Sequence, residues 1–223
     1  MRIKEVTLYH YDELSEQAKK KAREWFATDY PDYDWCGYLY EDFDKRAAEL
    51  GIELSRKPVR LMNGKTRYEP EIYFTGFYHQ GSGSAFTGRW RAQDMRVADL
   101  LAECPTETEL HRIANILTDC SKEDSELWAD IRADGDNWVR VEVNDGETIA
   151  DRLNNLEYKS AEYNQLAQAC QQRGDEVLEA LRDFNRWIYK QLETEYEYLT
   201  SEKQIEESIR ANEYEFTEDG SIA

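Results

Sequence analysis

Along this chain the apolar positions recur with a helical period near both ends and with a period of two in the middle, and that change lays out the predicted elements. Residues 3–9 read as a short strand. Ser15 then caps a helix on which Ala18, Ala22, Trp25 and Phe26 recur at helical spacing, and Tyr30-Pro31-Asp32 ends it. A second helix runs from about Tyr33 to Leu50, with Trp35, Leu39, Phe43, Ala47 and Leu50 as its apolar stripe and Gly51 where a C-terminal cap belongs. Asn63-Gly64 marks a tight turn, Glu71 to Tyr78 reads as a strand, and Ala85 to Arg91 pairs back on it across a glycine and serine loop. Helices follow near Met95–Glu103 and Thr106–Cys120, the second opened by a capping box of Thr106 and Glu109.

The clearest hairpin comes next. Leu127, Ala129 and Ile131 alternate with Trp128, Asp130 and Arg132; Asp134-Gly135-Asp136-Asn137 turns the chain; Val139, Val141 and Val143 alternate on the way back. A period of two implies an antiparallel sheet with one buried face. The last third is helical. Residues 148–172 carry a polar helical pattern, Gly174 breaks it, and Asp175 caps a long helix to about Leu199. Ser201 starts a short helix with Ile205 and Ile209, and Tyr214-Glu215-Phe216 returns as an edge strand. The expected fold is therefore α+β: an antiparallel β-sheet of about five strands covered by helices, in one domain over residues 1–223, with a helical subregion from about 148 to 223.

Charge changes this picture most. The sequence holds 47 acids against 28 bases, a net charge of −19. A phosphate backbone is gripped by clustered Lys and Arg, so direct nucleic-acid binding is excluded as an expectation, and a basic protein is the expected kind of partner. The acid is also uneven. Glu193, Glu195, Glu197, Glu202, Glu206, Glu213 and Glu215 lie among Tyr196, Tyr198 and Tyr214, and Asp29, Asp32 and Asp34 lie beside Tyr33. Carboxylates in the last turns of a helix oppose its dipole, and local rules broken without compensation point to function. These fourteen residues are the candidate partner-binding set, with a solvated acidic rim as the competing reading. Carboxylates at every second position approach the charge density of duplex DNA, although alternate residues point to different helix faces.

The chemistry of catalysis does not show in the sequence. His10, His79 and His111 are scattered and belong to no metal motif. The loop Gln80-Gly81-Ser82-Gly83-Ser84 lacks the lysine of a phosphate loop and joins two strands, and Asp134-Gly135-Asp136 lacks the later ligands of a calcium loop. No cofactor, metal or catalytic residue is expected, and an enzyme with an unfamiliar site is the third-ranked reading. Cys36, Cys104, Cys120 and Cys170 are widely spaced, and the first residues lack a long apolar stretch, so a reducing cytoplasm is the expected compartment, with no membrane partner.

Several stretches resemble small acidic proteins encoded by phages and prophages. Tyr11-Asp12-Glu13-Leu14-Ser15-Glu16-Gln17-Ala18-Lys19 is similar to their opening, Ile72-Tyr73-Phe74-Thr75-Gly76-Phe77 with Gln80-Gly81-Ser82-Gly83 to their central hairpin, and Tyr198-Leu199-Thr200-Ser201 with Asn212-Glu213-Tyr214-Glu215-Phe216-Thr217-Glu218-Asp219-Gly220 to their ending. Members are often labelled antitoxin of a toxin–antitoxin stability system. The resemblance implies an accessory protein of a mobile element. Two functions follow as expectations: an inhibitor of a host defence complex, of the anti-CRISPR type, that covers a basic nucleic-acid-binding surface with an acidic, DNA-mimic-like face, or an antitoxin that neutralises a toxin by direct binding. Oligomeric state is left open.

Overall fold

A computed structural model describes residues 6–28, 30–31 and 35–223. In chain order the elements are β1 (Tyr9–His10), α1 (Glu16–Ala27), α2 (Gly37–Glu49), β2 (Ile52–Leu54), β3 (Arg56–Arg60), β4 (Thr66–Pro70), β5 (Ile72–Phe74), β6 (Ser84–Phe86), β7 (Gly88–Arg91), α3 (Val97–Glu103), α4 (Thr108–Glu123), β8 (Trp128–Ala133), β9 (Val139–Asn144), α5 (Glu147–Asn155), α6 (Ala161–Leu199), α7 (Glu202–Ala211) and β10 (Glu215–Phe216). Helix and antiparallel strand are mixed, as an α+β chain requires, and the C-terminal region is helical. Contacts divide the chain into two compact units: residues 38–191, and residues 1–37 with 192–223.

The larger unit is built on an antiparallel sheet of four strands, in the order β2-β7-β8-β9, not the five expected. The difference has a local cause. Three long extended segments each bend once, at Ser55, Glu71 and Thr87, and change partner at the bend. The Ser55 N–H donates to the Thr87 carbonyl at 2.8 Å, the Glu71 N–H to the Ser55 carbonyl at 2.7 Å, and the Thr87 N–H to the Glu71 carbonyl at 3.0 Å. This closed ring satisfies the backbone groups that the bends would otherwise orphan. Beyond it β3 pairs with β4 and β5 with β6, each as a separate two-stranded ribbon.

Alternation on the four-stranded sheet follows the sequence reading. Ala129, Ile131 and Val139 are buried with Ile52, Leu54 and Trp90 on the inner face. Leu110, Ile113, Ala114 and Leu117 of α4 and Val177, Ala180, Leu181, Phe184 and Ile188 of α6 are buried too, and Phe184 meets Phe86 edge to face at 5.6 Å. Gly51 follows α2 at φ 80, and a β-carbon there would lie 2.6 Å from the Arg91 carbonyl oxygen, so only glycine lets the helix end this close to β7. Further expectations fail, among them Asp175 as a helix cap, since α6 already begins at Ala161. Gly174 lies inside α6, because buried Arg173, Val177, Ala180 and Leu181 on either side of it favour helix by more than the roughly 1 kcal/mol a glycine costs. The capping box at Thr106 does not form either: α4 begins at Thr108, and Glu107 instead accepts a hydrogen bond from Trp187 Nε1 at 3.3 Å.

The smaller unit joins the two flanking segments. β1 pairs antiparallel with β10, placing Tyr9 opposite Phe216. Ser15 caps α1 by accepting from the Ala18 N–H, and Ser201 caps α7 by accepting from the Gln204 N–H. Tyr11, Leu14, Ala18, Ala22, Ile205, Ile209 and Phe216 form its core. Gly220 has φ 82 and passes so near α1 that a β-carbon would sit 2.2 Å from the Ala18 carbonyl oxygen. The expected strand at residues 3–9 is Tyr9–His10 among the described residues; residues 3–5 lie outside them.

Candidate binding surface

The smaller unit concentrates the acid. It holds eighteen acids against eight bases, a net charge of −10, whereas the much longer stretch 38–191 holds twenty-nine against twenty, or −9. A body this small tolerates that charge by pairing part of it internally. Arg23 on α1 reaches Glu202 at 2.7 Å and Glu206 at 3.0 Å on α7. Arg210 reaches Glu206 at 3.1 Å and Asp12 at 2.9 Å, and Lys21 reaches Asp219 at 2.6 Å. The buried Tyr11 hydroxyl accepts from Arg23 at 2.8 Å and donates to Glu206 at 2.9 Å.

These contacts set the titration of the unit. Burial pushes the Tyr11 hydroxyl up, with Arg23 opposing it. For Glu206 burial opposes the charge, but the Tyr11 hydroxyl, Arg210 and Arg23 together outweigh it and hold the carboxyl below its ordinary value. Lys21, helped by Thr217 and the Ser221 N–H, holds Asp219 well below the usual aspartate range. A lowered carboxyl pKa means that the native state prefers the ionised form. Its stabilisation is complete above the ordinary carboxylate range and is lost as pH falls through the lowered value. Urea unfolding between pH 7 and pH 3 is expected to show the wild type losing stability on acidification while Glu206→Gln starts lower and loses less, so that the two curves converge. Parallel curves would show that Glu206 does not carry this pH dependence.

The candidate residues therefore divide. Glu202 and Glu206 are spent on Arg23 and Arg210. Tyr214 is half-buried, edge-on to Trp25 at 5.3 Å and to Phe26 at 6.1 Å, and Tyr196 is edge-on to Trp35 at 5.7 Å. Glu193, Glu195 and Glu197 do occupy the last turns of α6, with Tyr198 exposed beside them. Helical spacing puts Glu193 and Glu197 on one face and Glu195 on the other. Glu213 and Glu215 are exposed on either side of Tyr214. Glu195, Glu213, Glu215 and Glu218 make no side-chain ion pair or hydrogen bond among the described residues. Asp29, Asp32, Tyr33 and Asp34 lie outside the described residues.

Outside this body the larger unit carries an acidic cleft that the sequence reading passed over. Asp175, Glu176, Glu179 and Asp183 on α6 face Arg112 and Asp119 on α4 across about 610 Å³. Their spacing of three and four is a stripe that periodicity could have found. Most of it is internally engaged: Arg112 pairs with Glu109 at 2.7 Å and with Asp183, and Gln171 and Gln172 donate to Asp175 and Glu176, each at 3.0 Å. The Cys120 thiol is pushed up to about 11 by burial and by Glu176, so it is a neutral thiol at neutral pH. Among the described residues no group of three or more His, Cys, Asp or Glu is placed to hold a metal ion, and no helix is long and apolar enough to cross a membrane.

Residues 35–202 match a family model described as a domain of unknown function, DUF8835. The chain belongs to the DUF8835 family. The match covers the whole of the larger unit. What flanks the DUF8835 stretch, residues 1–34 and 203–223, contributes most of the smaller, acidic unit, including α1, nearly all of α7 and β10. Comparison with curated proteins and with solved structures gives no match.

Proposed function

We propose that this chain is a protein-binding accessory factor whose acidic smaller unit docks on a cationic protein surface, and that in the cytoplasm of a host cell it covers a basic nucleic-acid-binding channel of a defence complex. The observation that carries this reading is the partition of charge. The smaller unit holds a net −10, and after Arg23, Arg210 and Lys21 are satisfied, Glu195, Glu213, Glu215 and Glu218 still have no ion-pair partner among the described residues. Such groups raise the association rate with a basic surface and repel a phosphate backbone. Exposed Tyr198, one turn beyond Glu195 on α6, supplies apolar area of the kind interfaces use. The resemblance to phage and prophage proteins gives the setting.

The test is affinity capture from a host lysate with the wild type and with the fourfold variant Glu195→Gln, Glu213→Gln, Glu215→Gln, Glu218→Gln. The expected result is a basic partner that elutes as salt is raised from about 0.1 to 1 M, where screening shortens to about 3 Å. The fourfold variant should capture about tenfold less while unfolding at the same urea concentration. The captured partner should lose DNA binding when the chain is added. Unimpaired DNA binding by the partner would sink the occlusion reading, and equal capture by the variant would remove the acidic unit from the interface. A partner that is itself a toxin would turn the reading to an antitoxin.

A further inference from the structure

The outer face of the four-stranded sheet gathers arginine in a protein that is otherwise rich in acid. Its register places Arg89 between Glu53 and Asp130, Arg91 opposite Trp128, and Arg132 directly opposite Arg140. Like charges directly opposed on antiparallel strands are destabilising, and acids are plentiful enough here to have been used instead. Arg140 is relieved by Asp134 at 2.9 Å, but Arg132 is exposed and makes no ion pair or hydrogen bond among the described residues.

Arg132 lines a groove of about 330 Å³ with Arg89, Arg91, Ser55 and Thr87. The groove exists because the segments bend at Ser55 and Thr87, where the ring of backbone hydrogen bonds turns the strands apart. Thr87 Oγ1 accepts from the Ala133 N–H at 3.3 Å, which leaves its hydroxyl proton to donate, and the Ser55 hydroxyl has no partner among the described residues. Arg89 is fixed from two sides, by Asp130 at 2.9 Å and by the Trp128 ring, whose centroid lies 5.2 Å from its guanidinium carbon.

We propose that this groove binds the carboxylate of an acidic side chain on a peptide segment of a partner protein, with Arg132 as the principal contact. Size favours a side chain: the volume is at the lower limit for small-molecule sites, and the groove opens on a sheet face. Charge favours a carboxylate: Arg89 is paired with Asp130, and Arg91 with Asp94 at 3.3 Å and Glu53 at 3.7 Å, so Arg132 is the one guanidinium lining the groove with no ion pair among the described residues, and a single cation matches a carboxylate better than a phosphate ester carrying nearly two negative charges. Geometry agrees, since the guanidinium fork accommodates both carboxylate oxygens and the two hydroxyls add donors at the rim. The site belongs to the larger unit and does not depend on the acidic smaller unit acting as proposed above.

The test is fluorescence anisotropy with a rhodamine-labelled hexaglutamate peptide at low ionic strength, against a hexaglutamine control and a phosphoserine peptide. Saturable binding of hexaglutamate is expected, weakened about tenfold by Arg132→Gln and less by Arg132→Lys, which keeps the charge and loses the fork. Arg60→Gln, on β3 outside the groove, should bind like the wild type. Arg132 is exposed and faces Arg140, so Arg132→Lys should unfold at the wild-type urea midpoint and Arg132→Gln at or slightly above it, which separates lost binding from lost folding. Three results would overturn the proposal: unchanged affinity in Arg132→Gln, tighter binding of the phosphoserine peptide, or light scattering that shows self-association abolished by Arg132→Gln, which would make a second copy the occupant.

Discussion

Replacing Arg46 by alanine is expected to destabilise the larger unit by about 3–5 kcal/mol, the cost of leaving a buried charge without its partner. Arg46 is 7% exposed and Glu49, one turn further along α2, is 2% exposed. Their ion pair is 2.6 Å long, and Arg46 also reaches Asp42 at 3.1 Å and Glu103 at 3.3 Å. Burial works against the arginine's charge, but Asp42 and Glu49 outweigh it and raise its pKa. Truncation would strand the Glu49 carboxylate in the core while relaxing the tie to Glu103 on α3. The matching double variant, Arg46→Met with Glu49→Leu, removes both charges and should recover most of the loss, because a well-packed apolar pair often equals a buried ion pair. Guanidinium unfolding followed by far-UV circular dichroism would measure both. A single-variant loss under about 1 kcal/mol would show that water reaches Glu49.

Trp90→Ala is the second large effect, again about 3–5 kcal/mol. Trp90 is 0% exposed, and its Nε1 donates to the Leu50 carbonyl at 2.9 Å. It lies in the cross-strand row with Ile52 and Ala129, so its ring fills the inner face of the sheet directly under the C-terminal end of α2. Alanine would leave a cavity and also an orphaned helix-terminal carbonyl. Trp90→Phe separates the two terms: the ring remains, the donor goes, and the cost should fall to about 1–3 kcal/mol. Equal losses for alanine and phenylalanine would mean that the hydrogen bond, not the volume, holds this junction.

What the sequence revealed and what it hid follow from the range of the forces involved. The hairpin of β8 and β9, the caps at Ser15 and Ser201 and the glycine after α2 rest on patterns contained within a few residues, and each is where periodicity or turn chemistry put it. The bends at Ser55, Glu71 and Thr87 depend on hydrogen bonds between segments far apart in sequence, so alternation along any one segment could not show them. Gly174 and Thr106 carry strong local signals that packing against the rest of the unit overrides. The acidic surface was legible as composition. Its division into spent and unspent carboxylates was not, because Arg23 and Lys21 come from the opposite flank of the chain from Glu206 and Asp219.

The ring of hydrogen bonds where the three bent segments meet has a practical corollary. Past it on the β3–β4 side the strands pair with each other as a two-stranded ribbon, tied back at its base by Arg56 to Asp44 at 2.6 Å and by Lys57 to the Ile72 carbonyl at 2.7 Å, and its loop at Asn63-Gly64 is exposed. Register in the four-stranded sheet is fixed by pairs that do not include this arm. The tip of the arm, between Arg60 and Thr66, can thus be lengthened, trimmed or fused to a fluorescent label without disturbing the platform below, which makes it the natural handle for following the protein inside a cell.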